Sequence, residues 1–228
     1  MAAQQYEVEI KGLLGTEERA DEFKHKLTQH RTPPRYTGIS KQLNHYFKGG
    51  KPEKLLAHLG TYLSGDSKKK LKTIIASGRD ISVRTRQTNT EVIFVVKASV
   101  GSDTSSNGVA RIEVEQPVKL TLDALDKKLL AAGYTYQAKW SRKRETYQIQ
   151  DVTICLDKNA GYGYLVEFEK VLTNEKGIAK TRTALLKLMK QFKVAELKQS
   201  KLENMFAHYN NNWRKYYGTD AVFDSSKM

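Results

Sequence analysis

The stretch Tyr6-Glu7-Val8-Glu9-Ile10-Lys11 decides how the rest of the chain is read. Apolar Tyr6, Val8 and Ile10 alternate strictly with charged Glu7, Glu9 and Lys11. In a strand, period two puts the three charges on one face and the three apolar groups on the other. One such hexad is most simply the solvated side of a half-buried strand. The pattern recurs, however, along the whole chain. Residues 81–86 carry Arg84 and Arg86 at i, i+2, residues 92–97 end on Lys97, and residues 111–115 carry Arg111, Glu113 and Glu115. Farther on, 134–147 carries Arg142 and Arg144, 152–157 ends on Asp157, and 164–171 carries Glu167 and Glu169. Together with 36–47 these are eight predicted strands, mostly joined by short turns, which favours an antiparallel sheet or barrel.

Helices are predicted between them. Thr16 can cap one whose first turn holds Glu17 and Glu18 and whose apolar stripe is Ala20, Phe23 and Leu27, with Pro33-Pro34 as its stop. An insertion at 49–77 reads as one or two helices broken at Ser64-Gly65-Asp66, and its basic run from Lys68 to Lys72 reads as a solvated face. Leu122, Leu125, Leu129 and Leu130 mark a helix ending at Gly133. From Gly177 the chain turns helical and basic, with stripes at Leu185, Leu188 and Phe192 and at Leu202, Met205, Tyr209, Trp213 and Tyr216. Such stripes ordinarily pack on a sheet or on a second subunit. Residues 101–108 read as a mobile loop and the end beyond Gly218 as fraying.

These helices need an apolar surface to cover, and Val8, Ile10, Ile112, Val114, Val166 and Phe168 supply one. The charged faces must then point elsewhere, and in a closed eight-stranded barrel they line the interior. Unpaired buried charge is costly, so such an interior is wet, or filled by ions and an anionic ligand. Two carboxylates ~4 Å apart repel by about 4 kcal/mol at an effective dielectric near 20. A divalent cation reverses that sign, and Arg and Lys beside it suit phosphate oxygens.

Composition bounds the partners. The 228 residues carry 39 Lys and Arg against 25 Asp and Glu, a formal charge of +14, which favours a polyanionic partner. No run approaches the ~18 apolar residues of a membrane span, and the first residues lack a signal-peptide pattern. The single cysteine, Cys155, suits a reducing cytoplasm and reads as a buried, small apolar residue.

In order along the chain, these segments resemble the CYTH domains, the triphosphate tunnel metalloenzymes. Glu7-Val8-Glu9-Ile10-Lys11 resembles the opening ExExK motif, Gln42 to Phe47 the Q-x-D-x-Y-F of the second strand, and Arg84-Thr85-Arg86 its R-x-R. Lys97, Arg111 to Glu115 and Arg142-Lys143-Arg144 are similar to the basic, acidic and basic segments that follow. Leu156-Asp157 and the run from Tyr162 to Glu169 resemble the closing L-D and L-G-x-F-x-E-x-E. The likeness covers about 4–172 and has departures: Asn44 stands where the family often has Asp, and Tyr162 and Leu165 replace Leu and Phe. Gln4-Gln5, rather than His-Phe, precedes Tyr6, unlike the class IV adenylyl cyclases.

The resemblance implies an α+β fold: an eight-stranded antiparallel β-barrel enclosing a charged tunnel, helices packed outside, and a helical C-terminal tail. It divides the chain into a tunnel barrel over 1–176, with the insertion at 49–77, and C-terminal helices over 177–228. It implies that Glu7, Glu9, Glu113, Glu115, Asp157, Glu167 and Glu169 hold one or two Mg²⁺ or Mn²⁺ ions. Lys11, Arg84, Arg86, Lys97, Arg142 and Arg144 would grip a triphosphate, with Arg111 a weaker candidate. The implied activity is a metal-dependent triphosphatase acting on inorganic triphosphate, nucleoside triphosphate or thiamine triphosphate in the cytoplasm. The alternatives are a class IV-like adenylyl cyclase making cyclic AMP and pyrophosphate, and a non-catalytic polyphosphate- or RNA-binding module. The expected partner is a small anionic triphosphate rather than a membrane, with nucleic acid less favoured, and the expected state is a monomer or homodimer.

Overall fold

The computed structural model describes residues 6–99 and 111–225, so the loop expected at 101–108 lies outside the described residues. Eight strands form one antiparallel sheet: β1 (Tyr6–Gly15), β2 (Arg35–Lys48), β3 (Arg79–Thr88), β4 (Glu91–Ser99), β5 (Arg111–Pro117), β6 (Thr135–Ile149), β7 (Val152–Asn159) and β8 (Gly163–Leu172). Their order is β1-β8-β7-β6-β2-β3-β4-β5, which leaves β1 and β5 as edges. The sheet curls until these edges face each other, yet no backbone ladder joins them among the described residues. A side chain does. Lys97 Nζ of β4 lies 3.0 Å from Glu7 Oε2 of β1 and 2.9 Å from Glu113 Oε2 of β5. The result is barrel-like, closed across one seam by an ion pair.

Six helices cover the outside: α1 (Glu17–Gln29), α2 (Glu53–Leu59), α3 (Gly65–Ser77), α4 (Leu122–Ala131), α5 (Ile178–Gln191) and α6 (Gln199–Tyr216). Alternation along each strand fixes what they cover. Val8, Ile10, Ile154, Leu156, Val166 and Phe168 point outward and bury Ala20, Phe23 and Leu27 of α1 with Leu185 and Met189 of α5. Phe47, Val83, Phe94, Val96 and Val114 do the same for Leu55 and Leu59 of α2, Leu71 and Ile74 of α3, and Leu125 and Leu129 of α4. Full burial of each such side chain contributes about 1.5–3 kcal/mol. The caps follow the sequence: the Thr16, Ser64 and Thr121 hydroxyls accept from the backbone N–H three residues on. Where β1 ends against β8, a Cβ on Gly163 would lie 2.0 Å from the Gly15 carbonyl oxygen, at a positive φ of 74°, so only glycine fits.

The third apolar cluster lies across one end of the barrel. Leu202, Met205 and Tyr209 of α6 pack there with Leu13, Trp140, Tyr162 and Leu165. Beyond α6 the chain departs from the expected fraying. Gly161 N–H donates to the Ala221 carbonyl at 2.8 Å, Phe223 N–H donates back to Gly161 at 2.5 Å, and Gly218 N–H donates to Ser141 Oγ. Gly161 in the β7–β8 connection and Ser141 of β6 supply these partners, and no local sequence pattern announces them. Among the described residues no helix is long and apolar enough to cross a membrane.

A buried polar knot ties α4, β2, β3, β6 and this tail together. Asp126 accepts from His45 Nδ1, Thr85 Oγ1 and the Tyr136 hydroxyl, each at 2.6 Å, while His45 Nε2 lies 2.7 Å from the Tyr217 hydroxyl. Burial alone would raise the Asp126 carboxyl, but the bonds from His45, Thr85 and Tyr136 outweigh it and hold it below its ordinary value. Asp126→Ala strands these donors in the interior, and we expect a loss of about 3 kcal/mol in urea unfolding at pH 7. A depressed carboxyl stabilises the fold above its unfolded value of about 3.9, and this stabilisation is lost as pH falls through the folded value. The gap between wild type and Asp126→Ala should therefore narrow only below about pH 4; a gap that does not change with acid would contradict the assignment.

Candidate active site: a charged cavity inside the sheet

The inner face of the sheet encloses a cavity of about 1120 Å³. Glu7, Glu9 and Lys11 enter it from β1, Arg84 and Arg86 from β3, Lys97 from β4, and Glu113 and Glu115 from β5. Arg142 and Arg144 come from β6, and Glu167 and Glu169 from β8. Twelve of the thirteen residues singled out in the sequence thus line one space. The thirteenth, Asp157, lies behind it, and the side chain of Arg111 lies outside what is described.

The acids are crowded. One carboxylate oxygen from each of Glu7, Glu9 and Glu169 falls within 4.8 Å of the others. Burial, then the charges of Glu7 and Glu167, push the Glu169 carboxyl up to about 8. Burial likewise raises Glu113, to about 7, although Lys97 and Arg84 stand nearby. Glu7 goes the other way despite its burial, held down at about 2 by Lys97 and by a hydrogen bond with Glu169. The cluster therefore retains protons at neutral pH that a cation can replace.

The bases are crowded too. Arg84 donates from Nη1 to the Tyr46 hydroxyl at 2.8 Å and lies 3.7 Å by Nη2 from Glu113 Oε1, but among the described residues neither its buried Nε nor that Oε1 has a hydrogen-bond partner. Arg86 donates to Asn44 Oδ1 at 3.0 Å and to Glu115 Oε1 at 2.9 Å. Burial and the neighbouring charges of Arg84 and Arg142 push the Arg86 guanidinium down to about 10, which still leaves it charged at neutrality. A buried guanidinium donor without a hydrogen bond, among mutually repelling guanidinium groups and beside a carboxylate oxygen held only by a long ion pair, suits an anion lying against a cation. The donor set is all oxygen on the acidic side, which fits Mg²⁺ or Mn²⁺.

Asp157 plays a different part in this geometry. Its fully buried carboxylate accepts from Arg142 Nη1 at 2.8 Å and from Arg144 Nε and Nη2 at 2.7 and 2.6 Å. Arg144 also donates to Glu167, and Arg142 Nε donates to Gln42 Oε1 at 2.8 Å. Both oxygens of Asp157 are thus engaged in aiming two arginines into the cavity.

Sequence reading left Asn44 out of the site and did not single out Trp140. Asn44 and Tyr46 line the cavity, and each meets an arginine. Trp140 lines it as well while stacking on Tyr209 of α6 at 3.8 Å. Period two along β2 and β6 was the available signal, since Gln42, Asn44 and Tyr46 share one face, and so do Trp140, Arg142 and Arg144. Cys155 is buried, as expected, but among acids rather than apolar side chains: its sulfur sits within 4.8 Å of Glu167 and Glu169 oxygens. Burial chiefly, with those carboxylates, raises its thiol to about 12, so it stays protonated. Tyr162 packs in the α6 cluster, and Tyr164 lies outside and donates to Glu17. Lys143 is exposed, and Lys139 lies over the Tyr136 ring.

The CYTH domain family model matches residues 76–201, more than half of the chain. The chain belongs to the CYTH domain family. CYTH domains are typically triphosphatases or adenylate cyclases. The match begins where the 49–77 insertion ends, so the opening ExExK-like strand lies before it. Solved structures share the fold. A protein of Pyrococcus horikoshii OT3 is 22% identical with a TM-score of 0.60, covering 85% of this chain and 94% of its own. A conserved hypothetical protein of Pyrococcus furiosus is 17% identical with a TM-score of 0.60, covering 83% and 91%. A candidate adenylate cyclase of Vibrio parahaemolyticus is 17% identical with a TM-score of 0.60, covering 90% and 99%. A comparison with curated proteins finds no match.

A CYTH cavity with this geometry should trade stability for its acids. Asp157→Asn takes from Arg142 its ion pair and leaves Arg144 with Glu167 alone, and a loss of about 3 kcal/mol is expected in chemical denaturation. Glu169→Gln removes a repelled carboxylate, and in metal-free buffer should raise stability by about 1 kcal/mol or more. Equal destabilisation by both substitutions would refute this account.

Proposed function

We propose that this CYTH domain is a divalent-metal-dependent hydrolase of triphosphate compounds. The observation that carries the reading is the opposition, across one cavity, of the Glu7, Glu9 and Glu169 cluster and the crowded Arg84, Arg86 and Arg142. In this reading Glu7, Glu9, Glu113, Glu115, Glu167 and Glu169 hold Mg²⁺ or Mn²⁺, and Asp157 serves them by fixing Arg142 and Arg144. Bound there, the metal supplies charge neutralisation on the phosphoryl oxygens and a better-placed nucleophile. Lys11, Arg84, Arg86, Lys97, Arg142 and Arg144 take the triphosphate oxygens, and the buried Arg84 Nε gains its missing acceptor.

Charge balance supports the metal requirement. Six interior cations face seven interior acids, of which Glu113 and Glu169 are pushed up to about 7 and about 8, so near neutrality the cavity alone has little net attraction for a polyanion. The +14 of the chain lies elsewhere. Neutralising the acids with a divalent ion changes that balance toward anion binding.

A second reading, cyclisation of ATP, draws on the candidate adenylate cyclase with this fold and on the aromatic wall of Tyr46, Trp140 and Phe206. In it the ribose 3′-hydroxyl attacks the α-phosphorus and pyrophosphate leaves. One incubation separates the two: ATP and tripolyphosphate, each with Mg²⁺ or Mn²⁺, with products resolved chromatographically. We expect orthophosphate, abolished by EDTA, and kcat/KM lowered about 10–100-fold by Arg84→Ala. Cyclic AMP with pyrophosphate would favour the cyclase, and salt-sensitive, metal-independent binding without turnover would favour a non-catalytic module.

A further inference from the structure

The cavity wall does not stop at the strands. It continues onto α3 of the insertion, where Asp66, Lys69, Lys70 and Thr73 line it beside Ile112 and Val171. Those four positions are i, i+3, i+4 and i+7, one face of a helix. The opposite face anchors the helix along the edge strand β5: Leu71 and Ile74 are buried against Val114, and Ser67 Oγ donates to Gln116 Oε1 at 2.9 Å. The Lys69 and Lys70 stripe is therefore held rigidly at the rim of the cavity, next to the seam that Lys97 spans.

These lysines differ from the inner cations. Lys97, Arg86 and Arg144 each sit within 3 Å of a carboxylate oxygen. Among the described residues Lys69 has only Asp66 as an ion-pair partner, at 4.0 Å, with both side chains more than 80% exposed, and Asp66 itself suits the positive first turn of α3. Lys70 has no ion pair among the described residues. The rim thus carries surplus positive charge where the inner wall is balanced. The aromatic wall residues Trp140, Tyr162 and Phe206 gather at the α6 end, and none lies with Lys69 and Lys70. A nucleic acid would want aromatic platforms for its bases; a bare phosphate chain needs only cations. At about 1120 Å³ the cavity also exceeds the ~300–1,000 Å³ typical of pockets for drug-sized ligands.

We propose that Lys69 and Lys70 form an accessory anion site, and that the substrate it serves is a phosphate chain continuing beyond three phosphates, namely linear polyphosphate. The inference rests on the triphosphate reading of the inner cavity. The terminal phosphates lie among the arginines and the remainder leaves past α3. Each turnover adds water across one anhydride bond, releasing orthophosphate and a chain one phosphate shorter.

The test compares tripolyphosphate with long-chain polyphosphate in equilibrium binding, with EDTA and with Mg²⁺, and in kcat/KM. Wild type should favour the long chain by about 5–30-fold, the worth of two exposed charge contacts. The double variant Lys69→Ala/Lys70→Ala should lose that preference and lower the salt slope by up to about 2, with tripolyphosphate unaffected. Equal affinity for the two anions, or equal weakening of both by the double variant, overturns the inference. So does a 5′-triphosphorylated RNA that outbinds polyphosphate through the same lysines. If tripolyphosphate binds through Arg84 without any chain-length gain, only this inference fails; if neither anion binds, the triphosphate reading fails first.

Discussion

Lys97 reaches across the place where the two edges of the sheet meet, with no backbone ladder between them among the described residues, holding Glu7 of β1 and Glu113 of β5. Much of the architecture depends on that contact. A curled sheet with unpaired edges is ordinarily open to association with other strands. Here the edges are brought together by side chains that also line the cavity. The same three residues therefore close the barrel and line its cavity, so a substitution at any of them alters both.

The division between outer and inner faces follows from the same alternation. Outward residues such as Ile10, Phe168, Phe94 and Val96 build two apolar layers beneath five helices, and these layers make the fold stable. Inward residues would undo it if left unpaired, because each buried charge without a partner is costly. The protein answers with near neutrality inside: Asp157 under two arginines, Lys11 against Glu9 and Lys97 against two glutamates. The residual frustration, at Glu169 and Glu113 and at Arg84 Nε, is confined to the cavity. Mutually repelling and incompletely hydrogen-bonded charges gathered at one concave, polar surface are the mark of a candidate functional site.

How much of this was legible in the sequence depends on distance along the chain. Glu7, Glu9 and Lys11 declared their shared face by period two, and Thr16 with Ala20, Phe23 and Leu27 declared α1 by period 3.6. Both signals are local. Asp157 was legible as an inward acid, but its engagement by Arg142 and Arg144 depends on the β6–β7 register, which pairs Arg144 with Asp157. Cys155 stands two residues from Asp157 and shares its face; its residue type suggested core, and its position said otherwise. The stripe Asp66, Lys69, Lys70 and Thr73 was visible as helical spacing, yet what it faces is set by the packing of α3 on β5. The tail beyond Gly218 finds its partners in Gly161 and Ser141, far back in the chain, and no window of neighbouring residues contains that information.

Closure by an ion pair has a mechanical side. A barrel sealed by a backbone ladder has a fixed circumference, because widening it breaks several hydrogen bonds at once. This seam hangs on one ammonium group shared between two carboxylates. In the proposed reading, a cation taken up by Glu7 would compete with Lys97 for it, and the ammonium would be left to meet an anion. Filling the site would then exchange the fastener for the cargo, and under that proposal the girth of the barrel would answer to its occupant as well as to its strands.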